Sequence, residues 1–145
     1  MIRLYKSRDL DQVAKLLVDT FIQDPWKEEW TVELAKTRID EFMSGNMSIG
    51  YIYEENNKII GVMCGRQSTY LFGKEYFIDE FFISPSHQGK GIGTKMINYA
   101  KQDLQQKGFV NIVLNTEKGY PSEMFYKKNK FKVKESLIFM YLDFD

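Results

Sequence analysis

The segment from Ile78 to Ala100, IDEFFISPSHQGKGIGTKMINYA, limits the possible folds of this chain more than any other. The apolar run from Tyr76 to Ile83 is rich in aromatics and isoleucine and reads as a buried strand. Pro85 breaks the run and pushes Ser84 out of helical geometry. Gln88-Gly89-Lys90-Gly91-Ile92-Gly93 then leads into a helix with apolar residues at Ile92, Met96, Tyr99, Ala100 and Leu104, roughly helical spacing. A strand, a glycine loop and a helix in direct succession suit the holding of an anion. The first helical turn carries unpaired N–H groups and partial positive charge. Glycines let an oxygen-rich ligand approach the backbone, and Lys90 adds a charge that can face phosphate.

The kind of anion site narrows by exclusion. There is no GxxxxGK[ST], so the loop is not a P-loop, and the G-x-G-x-G spacing is not that of a dinucleotide fingerprint. Gln88, Gly91 and Gly93 instead resemble the acyl-CoA signature Q/R-x-x-G-x-G/A of the GCN5-related N-acetyltransferases (GNAT), with a hydrophobic strand before it and an amphipathic helix after it. The competing reading is a strand–helix turn that needs glycine only for its shape.

The 145 residues suffice for one domain with a substantial core. Twenty basic and twenty acidic side chains cancel, so total charge offers no footprint for nucleic acid or a membrane surface. No apolar run approaches membrane-spanning length, and MIRLYKSRDL does not read as a signal peptide. The lone Cys64 cannot form an internal disulfide, and a cytoplasmic location is the expectation.

Along the chain, Ile2 to Tyr5 reads as a strand, and Asp9 with Gln12 as a capping box for a helix that ends before Pro25, with Ser7 as the competing cap. Thr31 is expected to cap a second helix reaching about Ser44. Met47–Glu54 and Lys58–Arg66 read as strands joined by a turn at Asn56-Asn57. After the glycine-loop helix come a strand at Phe109–Asn115, a short helix from Tyr120 to about Lys128, and a long final strand from Phe131 to Leu142. The order β-α-α-β-β-β-α-β-α-β predicts an α/β sandwich: a mixed, mostly antiparallel sheet of about six to seven strands flanked by about four helices. It is similar to the acetyltransferase fold over essentially the whole chain, residues 1–145.

The resemblance implies acetyl-CoA as cosubstrate, no metal, and a primary-amine acceptor on a small cationic molecule or a peptide. Homodimers are common on this fold, so pairing of two chains is left open. The main-chain amides of Gln88, Gly89, Lys90, Gly91, Ile92, Gly93 and Thr94 would hold the diphosphate, and the pantetheine arm would run beside Phe81, Phe82 and Ile83 in a gap where the strand and its successor splay apart. Asn115 is either a partner for a pantetheine amide or a turn former at a strand end.

Tyr126 lies in Phe125-Tyr126-Lys127-Lys128-Asn129-Lys130-Phe131, similar to the family segment F/L-Y-x-x-x-G-F, whose tyrosine protonates or contacts the departing thiol. Lys130 stands where glycine is usual, and Asn129 is expected to supply the left-handed residue instead. For the acceptor amine, whose pKa of about 10.4 keeps it protonated at neutral pH, Glu80 is the candidate base. Strand alternation places Tyr76, Ile78, Glu80 and Phe82 on one face and Phe77, Asp79, Phe81 and Ile83 on the other. Two adjacent acids in an aromatic strand are costly unless paired, hydrated or used, so Glu80 either acts as base or pairs with a Lys or Arg. Trp26, Glu28, Glu29 and Trp30 join the first two helices and offer aromatic faces and carboxylates to an ammonium group; the alternative is lid packing and a solvated helix start. A non-catalytic acyl-CoA-binding module is the competing function, and a ligand-free interaction domain a further one.

Overall fold

The computed structural model describes residues 1–145 and divides them into two compact units, Met1–Asn115 and Thr116–Asp145. The first unit runs β1 (Ile2–Leu4), α1 (Leu10–Phe21), α2 (Val32–Met43), β2 (Ser48–Glu55), β3 (Lys58–Tyr70), β4 (Gly73–Ile83), α3 (Ile92–Gln106) and β5 (Phe109–Leu114). Its sheet has the order β1-β2-β3-β4-β5, with antiparallel neighbours except the parallel pair β4–β5.

Local chemistry explains the joints. Thr31 caps α2 as expected, its hydroxyl accepting from the Leu34 amide at 3.1 Å. Asn56 and Asn57 both take positive φ, 50° and 62°, in the β2–β3 turn. Asp9 does not form the expected capping box. It is buried and holds the start of the chain instead, taking two bonds of 2.9 Å from Arg3 and one of 2.8 Å from the Lys6 amide. Arg3 and the Lys6 amide keep its carboxyl below the ordinary value against the opposing effect of burial.

The sheet is covered on both faces. Val13, Ala14 and Leu17 of α1 and Ala35 and Ile39 of α2 pack with Ile52, Val62, Cys64 and Phe82. On the other face lies α3: Tyr51 donates to Asp103 at 2.7 Å, and a Cβ placed on Gly61 would come within 2.7 Å of Met96 Sδ. Gly61 thus lets the helix pack closely on the sheet, and a side chain there would displace Met96.

The second unit holds α4 (Pro121–Lys128). The sheet has five strands, fewer than the six or seven expected, because Phe131–Leu142 forms none. In residues 132–145 a single backbone hydrogen bond forms, Leu137 N to Lys134 O, and Leu137 to Leu142 and Phe144 are exposed. High β propensity marks a segment that fits a sheet, but a strand forms only where a neighbour supplies the ladder. The left-handed residue after α4 is Lys130, φ 71°, and not Asn129, φ −89°. Asn129 ends the helix differently, donating from Nδ2 to the Phe125 carbonyl at 2.9 Å.

Candidate active site

The site begins with an irregularity in β4. Opposite β3, Gly65 pairs with Ile78 and Cys64 with Glu80, so Asp79 is an extra, bulged residue. Partners across a ladder share a face. Cys64 belongs to the core under α1 and α2, and Glu80 and Phe82 therefore face those helices. Gly65 lies on the α3 face, with Ile78 and Tyr76; a Cβ on Gly65 would run into the Tyr76 ring. Simple alternation had put all four on one face, and the bulge divides them.

On the α1–α2 side Glu80 meets Arg38 of α2, whose Nε donates to Glu80 Oε2 at 2.7 Å. The guanidinium lies over two rings, with Cζ 5.5 Å from the Trp30 centroid and 4.7 Å from that of Phe42. Trp30 in turn donates from Nε1 to Glu28 at 2.9 Å. Glu29 is exposed, while Trp26 is half-buried and packs edge-on against Phe21 at 5.5 Å; Phe21 meets Phe82 at 5.7 Å. Burial pushes the Glu80 carboxyl above its ordinary value, and the Arg38 hydrogen bond and charge restrain that rise. Arg38, 42 positions from Glu80, is a functional residue that sequence reasoning misses; the one local signal is Phe42, four residues on, across a helical turn.

Asp79 is not solvated. Its side chain is 6% exposed and 3.4 Å from Arg66 Nε, and Oδ2 accepts no hydrogen bond. Burial pushes its carboxyl up against the pull of Arg66 and Arg38. Cys64 is fully buried beside these acids, and burial raises its thiol far beyond nucleophilic use.

The glycine loop follows. Gln88 Nε2 donates to the carbonyl of Ile83, tying the loop to the end of β4 at 2.9 Å. Gly89 and Gly91 take φ of 76° and 81°, and a Cβ on either would meet nothing within 4 Å. Both are glycine for conformation, beneath open space. Gly91 is the residue before α3, and no amide from Gln88 to Thr94 donates to a protein acceptor. Lys90 is exposed. In the strand that precedes the loop, the parallel ladder ends at Ile78 and Leu114 while β4 runs on through Phe81 and Phe82 to Ile83. Asn115, just past β5, is exposed.

In the second unit Tyr126 is half-buried, with ring contacts to Phe125 at 5.3 Å and Phe131 at 5.2 Å. A cleft of about 490 Å³, lined by Tyr5, Ser7, Asp40, Met43, Ser48 and Gly50 among others, shares no residue with the Glu80 and glycine-loop groups. No group of three or more His, Cys, Asp and Glu side chains is arranged to hold a metal ion, and no helix is long and apolar enough to cross a membrane.

The profile of the Acetyltransferase (GNAT) family matches residues 10–131. The chain belongs to that family. As a GNAT acetyltransferase it is an enzyme of the class that takes its acyl group from acyl-CoA. None of the curated proteins matches the sequence. Among solved structures, a possible acetyltransferase from Clostridium difficile 630 is similar at 16% identity and TM-score 0.84, covering 100% of this chain and 98% of that one. An aminoglycoside acetyltransferase from an uncultured soil metagenomic sample, in complex with sisomicin, is similar at 18% identity and TM-score 0.77, covering 100% and 96%. A predicted acetyltransferase from Clostridium acetobutylicum with acetyl-CoA is similar at 18% identity and TM-score 0.72, covering 97% and 95%. These likenesses are of fold.

The residues of this acetyltransferase fit an acyl-CoA. Undonated amides with open space over Gly89 and Gly91 suit a diphosphate, and a strand that outruns its neighbour has a ladder edge for an extended amide chain.

Proposed function

We propose that this single domain, residues 1–145, transfers the acetyl group of acetyl-CoA to a primary amine by direct attack while both are bound. The undonated amides from Gln88 to Thr94, with open space over Gly89 and Gly91, and the run of β4 past the end of its ladder with β5 carry the reading. Gln88, Gly89, Lys90, Gly91, Ile92, Gly93 and Thr94 hold the diphosphate, the Phe81–Ile83 backbone takes the pantetheine, and Asn115 bonds one of its amides. Acetyl-CoA supplies the activated acetyl group. Glu80 accepts the proton the amine loses, directly or through a water, as the C–N bond forms and the C–S bond breaks. Tyr126, on the strength of its motif alone, returns a proton to the thiolate. The Trp26 and Trp30 faces and the Glu28 and Glu29 carboxylates receive the ammonium form of the acceptor.

Thiol release over a panel of amines, with acetyl-CoA binding followed by calorimetry, tests this. Glu80→Gln and Tyr126→Phe are each expected to slow turnover at least about tenfold, in the range of general acid–base effects. Neither doing so removes the two assignments, and no thiol release with any amine removes the function. Glu28→Gln with Glu29→Gln is expected to raise KM for the amine; an unchanged KM removes their role.

We also infer that two chains pair in a cytoplasmic enzyme. Leu137, Ile138, Phe139, Met140, Tyr141, Leu142 and Phe144 are 68–93% exposed, a longer apolar run than monomers usually leave in water. A second copy, carrying the same segment, covers it. Light scattering is expected to give twice the chain mass, falling to one with Phe139→Asp; a monomeric parent chain overturns the pairing.

A further inference from the structure

The proposed base is paired, and its companion is built like a receptor. Arg38 is fixed on three sides: Nε on Glu80 at 2.7 Å, one face over Phe42, the other contact over Trp30. A guanidinium carries five N–H donors. Only the Nε donor has a protein acceptor, and the side chain is 38% exposed. The Nη fork is therefore held in place, one guanidinium width from the proposed base, with its hydrogens unspent. Held by Glu80 and lying over two rings, it has less rotamer freedom to lose on binding than a free arginine.

We propose that Arg38 is the carboxylate-binding residue of the acceptor site, and that the acceptor is an amine bearing a carboxylate a few bonds from its nitrogen, as a free α-amino acid does. The inference rests on Glu80 serving the acceptor amine. Charge around the site agrees with a zwitterion. Glu80, Asp79 and Glu28 stand against Arg38 and Arg66, an excess of one negative charge. An ammonium end answers that excess. A carboxylate end meets the one rigid, planar donor fork that matches it bidentately. A polycation would bring several charges to a site that holds one uncompensated anion, with Arg38 among them.

The test compares acceptors that differ only at the carboxylate: a set of L-amino acids, their carboxamides and their decarboxylated amines, with thiol release from acetyl-CoA as readout. The free acids are expected to have kcat/KM about ten- to a hundredfold above their carboxamides, mostly through KM, as befits a charge-assisted bond. The carboxamide's amine is the more readily deprotonated, so this order runs against intrinsic reactivity. Arg38→Gln is expected to bring the ratio of acid to carboxamide near one, and Arg38→Lys to retain part of it. Thermal melts confirm that both variants are folded. Carboxamides or plain amines acetylated as well as the acids overturn the proposal and leave the acetyltransferase reading intact. So does an Arg38→Gln variant that slows both acceptors by the same factor, since Arg38 then serves only Glu80. Acetyl-CoA bound in calorimetry with no amine acetylated overturns both readings together.

Discussion

Replacing Gly91 by alanine separates the two reasons for glycine in the loop. At φ 81° an L-residue is strained, and the left-handed conformation costs roughly 1–2 kcal/mol. No neighbour lies within 4 Å of the new Cβ, so no clash adds to that cost. At roughly 2–4 °C per kcal/mol for a chain of this size, the melting temperature should fall by about 2–8 °C. The methyl group also enters the space above undonated amides. If a diphosphate lies there, it loses one or more charge-assisted bonds of about 1.5–3 kcal/mol each. The Kd for acetyl-CoA then rises at least about tenfold. Gly108→Ala is the control: φ is 86°, but the glycine is at the far end of α3, where a Cβ comes no nearer than 3.7 Å to Lys74. It should cost similar stability and leave the Kd alone. Calorimetry and differential scanning on the three proteins decide the matter. A Gly91→Ala protein that melts early and still binds acetyl-CoA like the parent refutes the loop as the diphosphate seat.

Asp79→Asn is expected to raise the melting temperature at pH 7. The folded carboxyl titrates above its ordinary value, so in the window between the unfolded and folded values the folded state binds more protons and stability falls as pH rises. The gain from Asn is thus complete above the folded value and vanishes near pH 4; melts across that range that stay parallel contradict the burial argument. Lys130→Gly relieves a left-handed residue at the end of α4 and should stabilise by about 1 kcal/mol, read from urea midpoints. A loss of stability there would mean that the lysine side chain holds the turn.

Legibility in the sequence tracked the range of the interaction. The Tyr76–Ile83 strand, the glycine loop before α3 and the Thr31 cap depend on residues within a turn or a strand, and local patterns expose them. The Asn56-Asn57 turn was equally local. Arg38 and Glu80 were not readable as a pair, since 42 residues and a layer boundary separate them. Asp9 escapes the helix-start pattern because its partner, Arg3, lies in the preceding strand. Phe131–Leu142 was misread for a related reason. Its composition states what it would pair with, and composition cannot supply the partner.

The bulge at Asp79 sets Ile78 and Glu80, two residues apart, on opposite faces of the sheet, and its removal can be tested. Deleting Asp79 leaves Ile78 opposite Gly65 and Glu80 opposite Cys64, the pairing already present on either side of the insertion. Ile78 and Glu80 become neighbours on opposite faces, as plain alternation demands. The Arg38 pair and the α1–α2 core can therefore persist, and the deletion also removes a buried carboxylate with an orphaned oxygen. A chain that folds with near-parental stability is the expected result, with acetyl transfer depressed because bulges re-aim the strand beside a site. A deletion that unfolds the protein would mean that the two halves of β4 are not registered as described. Parental activity would mean that the bulge serves only the turn of the strand. Only the first of these two outcomes touches the Glu80 assignment, which would then need a different geometric support than the one β4 provides.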